Sequence, residues 1–148
     1  TNQYSANSHP RVFGLYQIRH DGTIVRFAES YKTQTLSEQH IAIVLALGYP
    51  EPDYAVVDSS AAELRGRLRA LGIGTYGGTH PVEEGIKELR RRMAPDANNI
   101  RTFLVHPRCK HFRAEMASYR YDDNGKPVKQ FDHGPDEARM LVWKLRYS

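Results

Sequence analysis

Apolar residues change their spacing several times along this chain, and each change marks a boundary between elements. Residues 11–18 (RVFGLYQI) and 23–31 (TIVRFAESY) are rich in β-branched and aromatic side chains and flank His20-Asp21-Gly22. An Asp-Gly step between two such runs predicts a hairpin, because the tight turn needs positive φ angles. From Thr35 the spacing lengthens to that of a helix. Ile41, Val44, Leu45 and Leu47 form its apolar side, Thr35 offers an N-cap with Glu38 three residues on, and Gly48 ends it. A short strand, Tyr54 to Asp58 (YAVVD), follows Pro50-Glu51-Pro52. The next helix, from 61 to 71, carries Leu64, Leu68 and Leu71 as its stripe before Gly72.

The alternation of strand and helix then continues. Residues 73–76 predict a strand, 77–81 (GGTHP) a loop, and 82–93 a charged helix with Ile86, Leu89 and Met93 inward. A strand over 100–105 leads through His106-Pro107 into a helix over 108–118. Tyr119-Arg120-Tyr121 and residues 126–130 (KPVKQ) surround Asp123-Asn124-Gly125, a second hairpin signal. Gly134-Pro135 opens a last helix with Ala138, Leu141, Val142 and Leu145 at helical spacing. The first ten residues, TNQYSANSHP, have no period and read as a loop. Strands alternating with helices after an antiparallel start predict an α/β fold, a mixed sheet flanked by helices with an extra β-hairpin before the C-terminal helix. No repeat or low-complexity linker divides the 148 residues, so 1–148 reads as one domain.

Composition narrows the classes. No run approaches the roughly 18 apolar residues of a membrane span, so no membrane partner is expected. The single cysteine, Cys109, rules out an internal disulfide or a cysteine-rich zinc site and suits a reducing cytoplasm. Lys and Arg total 21 against 17 Asp and Glu, a net +4 that is compatible with nucleic acid without requiring it. There is no phosphate-cradling GxxxxGK[ST], no dinucleotide fingerprint and no HExxH. Cys109 lies on a presumed helix among basic residues and reads as structural.

Two places could carry chemistry. Asp58 ends a buried strand, where ligands of open α/β sheets bind; equally, it could cap the following helix, although Ser59 and Ser60 could do that instead. Asp132, His133, Asp136 and Glu137 gather at a helix start and could hold a divalent cation. They could as well complement the helix dipole behind Pro135. Arg120, Lys126 and Lys129 mix with Tyr119 and Tyr121 on the second hairpin, a composition that fits nucleic-acid backbone contacts and also a plain surface hairpin.

Three segments resemble one family. VVDSSAAELRGRLRALGI resembles the strand, acid and Leu/Arg-rich helix of large-terminase nuclease domains, and HPVEEGIKELRRRM resembles a helix of the same domains. The run from FLVHPRCKHF to DHGPDEARMLVWKL resembles their ending: a strand, a helix, a hairpin and a DHxxDAxRY motif. The resemblance covers about residues 54–147. It implies an RNase H-like fold and endonuclease cleavage of concatemeric double-stranded DNA with Mg²⁺ or Mn²⁺, two ions being expected. By position Asp58 and Asp136 match catalytic, metal-binding acids, Asp132 and His133 match the neighbouring pair, and Glu115 matches a helix acid whose expected role is structural. The partners implied are an N-terminal ATPase domain lying outside these residues, the portal and the small terminase, in the cytoplasm of an infected bacterial host.

The sequence departs from that pattern at Glu137, which precedes Ala138, and at Met140, where an aromatic is usual. The family's first catalytic Asp belongs on its opening strand, and the match to the start of this chain expects that Asp ahead of Thr1. Other RNase H-like nucleases, of the Holliday-junction resolvase or transposase type, are the rival enzymes. A catalytically incomplete DNA-binding module is the rival from another class.

Overall fold

The computed structural model describes residues 2–6, 12–32, 35–77, 82–119, 123–124 and 133–147. Six strands form one sheet, β1 (Asn2–Ala6), β2 (Val12–Ile18), β3 (Ile24–Tyr31), β4 (Tyr54–Val57), β5 (Gly74–Gly77) and β6 (Phe103–Val105), in the order β5-β4-β1-β2-β3-β6. Only β2 runs against the others: it is antiparallel to β1 and β3, whereas β1–β4, β4–β5 and β3–β6 are parallel pairs. The helices are α1 (Ser37–Leu45), α2 (Ala62–Ala70), α3 (Val82–Met93), α4 (Lys110–Ser118) and α5 (His133–Lys144).

The sheet divides two cores. Ala55 and Val57 of β4 join Phe13, Leu15, Ile41, Val44, Leu64 and Leu68 under α1 and α2. Val56, between them, joins Tyr16, Ile86, Leu89, Phe112, Met140 and Leu141 under α3, α4 and α5. This follows from the two-residue period of a strand buried on both faces, which reads as a continuous apolar run.

The expectation of a loop over residues 1–10 is corrected at residues 2–6. They form β1, in the middle of the sheet, with Tyr4 opposite Leu15 on one side and Ala55 on the other. Tyr4 and Ala6 are buried, and this period-2 pair is too short to stand out among polar neighbours. The elements expected elsewhere are present with shifted ends. α1 starts at Ser37 with Leu36 in the cap position, and Gln39 rather than Glu38 accepts from its N–H at 3.4 Å. Leu47 and Leu71, expected on apolar sides, are about half exposed beyond their helix ends. Gly22, Gly48 and Gly72 take positive φ where the hairpin turns and the two helices stop. Of the second hairpin, the turn at Asp123-Asn124 is described; its flanking runs, with Arg120, Lys126 and Lys129, lie outside the described residues, as does Asp132.

A β-bulge shapes the face under α5. Leu15 pairs with Ala28 but Tyr16 pairs with Arg26, so Phe27 is the extra residue. Arg26 and Glu29, which a regular strand would send to opposite faces, therefore meet on the same one. Arg26 is fully buried there.

Candidate active site

Asp58 follows the last residue of β4. Its N–H donates to the Ala6 carbonyl at 3.4 Å, continuing the β1–β4 ladder, and its own carbonyl accepts from Ala61. The carboxylate does not cap α2. Oδ1 accepts from the N–H of Ser60 at 2.9 Å and from its hydroxyl at 2.8 Å, a local turn closed two residues on. Oδ2 takes no hydrogen bond from the described residues. The chain then turns into α2 under the small residues Ser59 and Gly77, where an added Cβ on Gly77 would sit 3.2 Å from Ser59 Cβ.

Asp136 lies in the first turn of α5, one-quarter to one-third exposed, and Oδ1 accepts from Arg139 Nε at 3.0 Å and Nη2 at 2.7 Å. Arg139 is itself buried against Gly85 of α3, where a larger residue would press on its Cβ and Cδ. The other guanidinium nitrogen, Nη1, is buried with no partner among the described residues.

The start of α5 is anchored from below. Glu115 of α4 accepts from the N–H groups of His133 and Gly134, at 2.9 and 3.2 Å, and so serves two of the free donors of the first turn. Glu29 does the same for α4, accepting from His111 and Phe112. Between them Arg26 pairs with Glu137 and with Glu29, and Tyr16 donates to Glu137 at 2.6 Å. Gly14 leaves the room for this group: a Cβ there would collide with Glu137, Arg26 and Tyr16. Burial pushes the Glu137 carboxyl up to about 7, against the pull of Arg26 and Tyr16. Burial likewise drives the Tyr16 and Tyr31 hydroxyls well above their ordinary value. Cys109 is buried beside Arg26, its thiol pushed up to about 11 by burial, which suits the structural role expected of it.

These anchors fix where α5 starts. Gly134 lies against Tyr31, the last residue of β3, whereas the Lys144 ammonium sits over the rings of Tyr54, where β4 begins, and Tyr76. β3 and β4 run the same way, so α5 crosses the sheet obliquely with its first turn at the end where Asp58 stands. Asp58 and Asp136 thus share one end of the sheet, and no hydrogen bond joins them. His133 turns toward a cavity of about 460 Å³ that Tyr31, His111 and Glu115 also line. Among the described residues, no three His, Cys, Asp or Glu side chains gather closely enough to hold a metal. The strand beside Asp58, β1, has no carboxylate (NQYSA), and residues ahead of Thr1 would enter β1 at the end opposite Asp58.

Glu137, expected with the acids that could hold a cation, is corrected: it is fully buried against Arg26 and Tyr16, and the sequence reading missed the group these form with Glu29. One signal was available: Glu137, Met140 and Leu141 share a helical face, so a carboxylate stood on the apolar stripe. For Arg26 there was none, since the bulge that turns it inward leaves no mark in TIVRFAESY.

A mixed α/β sheet with helices on both faces defines the class of fold. Solved structures of large terminases share that fold. The large terminase of a thermophilic bacteriophage, solved with ADP, superposes over 100% of this chain with a TM-score of 0.85 at 23% identity. A further crystal form of that protein gives 0.82 at 22% identity. The nuclease domain of the P22 large terminase matches over 99% of this chain and 80% of its own length, with a TM-score of 0.72 at 20% identity. The chain spans 40% of the thermophilic phage's large terminase chain. No family model matches the sequence, and no curated protein matches it.

Proposed function

We propose that this chain is an RNase H-like, metal-dependent endonuclease domain of a phage large terminase, cutting concatemeric double-stranded DNA during genome packaging. One observation carries the reading: Asp58 and the first turn of α5, with Asp136, stand at one end of a sheet whose fold matches the P22 nuclease domain over 99% of the chain. Asp58 and Asp136 are the proposed catalytic and metal-binding acids, with Asp132 and His133 as further proposed ligands. Each of the two acids keeps one oxygen with no described partner, a hard donor suited to Mg²⁺ or Mn²⁺.

The described residues fit a two-ion site in part, supplying two carboxylates where such a site needs more. Bound ions would supply an activated water and a stabilised leaving oxygen. The chain's own residues supply placement: Ser60 fixes the rotamer of Asp58, Arg139 that of Asp136, and Glu115 the start of α5. Arg120, Lys126 and Lys129 are the proposed contacts to the DNA backbone. In the longer protein the partners are an N-terminal ATPase domain, the portal and the small terminase, in the host cytoplasm.

A second reading, a module that holds DNA without cutting it, is favoured by the absence of a carboxylate from β1. Supercoiled plasmid with millimolar Mn²⁺ separates the two. Nicking that stops with chelator and falls at least ~100-fold in Asp58→Asn and in Asp136→Asn, beyond the usual cost of losing an outer-shell partner, supports the nuclease. Retained DNA binding with no nicking supports the second reading. Four-way junctions cut in preference to linear duplex would point instead to a resolvase.

A further inference from the structure

We infer that the edge of β6 is a docking groove for an extended acidic segment of a partner protein, one that alternates carboxylates with apolar side chains. The groove lies between α3, β6 and α4 and encloses about 590 Å³. Met93, Phe103, Val105, Phe112 and Met116 form its apolar floor.

Its open side is a strand edge. Ile24 N–H donates to the Thr102 carbonyl and His106 N–H donates to the Arg26 carbonyl. In a parallel ladder the bonding residues alternate, so Thr102, Leu104 and His106 face β3. Phe103 and Val105 therefore turn their N–H and C=O groups outward into the groove. Such an edge recruits an extended chain by main-chain hydrogen bonds, with side-chain pockets reading every second residue.

Charge selects the occupant. Arg101 and Arg113 rim the groove, and among the described residues no carboxylate lines it. Arg101 and Arg113 donate to backbone carbonyls, of Met93 at 3.0 Å and Pro107 at 3.5 Å, so their charges are not neutralised by those bonds. A second copy of β6 would bring two arginine rims together, which disfavours self-pairing. A nucleic acid would find a methionine and phenylalanine floor that offers its phosphates nothing. An acidic strand with apolar alternate residues satisfies the rim, the floor and the edge together.

The test uses a fluorescein-labelled peptide of alternating glutamate and valine, its lysine–valine counterpart, and a short DNA duplex as probes of the folded chain. The expected result is saturable anisotropy with the glutamate peptide alone, together with slowed amide exchange at Phe103 and Val105. Arg101→Glu with Arg113→Glu, both exposed positions, should weaken that binding at least tenfold while the circular dichroism spectrum stays unchanged. Binding that survives the double reversal, equal binding of the lysine peptide, preferential binding of the duplex, or no binding of the glutamate peptide at millimolar concentration overturns the inference.

Discussion

Arg26 and Glu137 face each other with no exposure on either side chain, and Tyr16 closes the group. Removing one member strands the other, and a buried charge left without its partner costs about 3–5 kcal/mol. Arg26→Ala should therefore lower the free energy of unfolding by that order in urea denaturation, and Arg26→Ala with Glu137→Leu should recover much of the loss. The raised Glu137 carboxyl sets a pH dependence with a definite sign. Its value in the fold, about 7, lies above the ordinary 4.5, so its contribution is fully present below pH 4.5 and is lost as pH rises through 7. Wild type should lose stability relative to Glu137→Gln as pH rises between those limits. A difference that is flat with pH, read from paired denaturation curves, would contradict the burial argument.

At the scale of elements, α5 owes its position to a neighbour rather than to its own cap. Glu115 serves the N–H groups of His133 and Gly134 from α4, and Gly134 leaves no room for a side chain between Tyr31, Glu115 and Phe112. Glu115→Ala should cost about 1–2 kcal/mol, as losing a helix cap does, and should weaken metal-dependent nicking because Asp136 moves with the helix. Gly134→Val should be at least as damaging, since overpacking of this kind typically costs about 1–3 kcal/mol. Nicking unchanged in both variants would separate α5 placement from the site. Much of this level was legible beforehand. The YAVVD strand, the Gly48 and Gly72 stops, and the helices over 82–93 and 133–144 follow from local periodicity and turn chemistry. Three features did not: β1, whose short burial pattern is drowned by polar neighbours; the bulge at Phe27; and the capping of one helix by another. All three are decided by pairing between different elements, which the periodicity of a single segment does not record.

The whole molecule is a sheet with a core on each face, and that arrangement was readable from the alternation of strands and helices. Geometry within the site was less so. Asp58 does not cap α2, whereas Asp136 stands in the first turn of α5 as the dipole reading expects, and each makes a local contact, to Ser60 and to Arg139, that leaves one oxygen with no described partner. A cation bound by both should stabilise the fold as a whole. At about ten times its dissociation constant the gain is ~1.4 kcal/mol, or a rise in Tm of roughly 3–6 °C. Asp58→Asn and Asp136→Asn should each diminish that rise in thermal scans with Mn²⁺.

The most direct test of the central claim, that Asp58 and Asp136 belong to one cation site, is a Mn²⁺ titration followed by NMR. Paramagnetic broadening should strike the amides of Asp58 to Ser60 and of His133 to Asp136 together, at low metal ratios, and both sets should escape it in Asp58→Asn. Broadening of one set without the other, or confined to surface acids such as Glu83 and Glu84, would contradict the account.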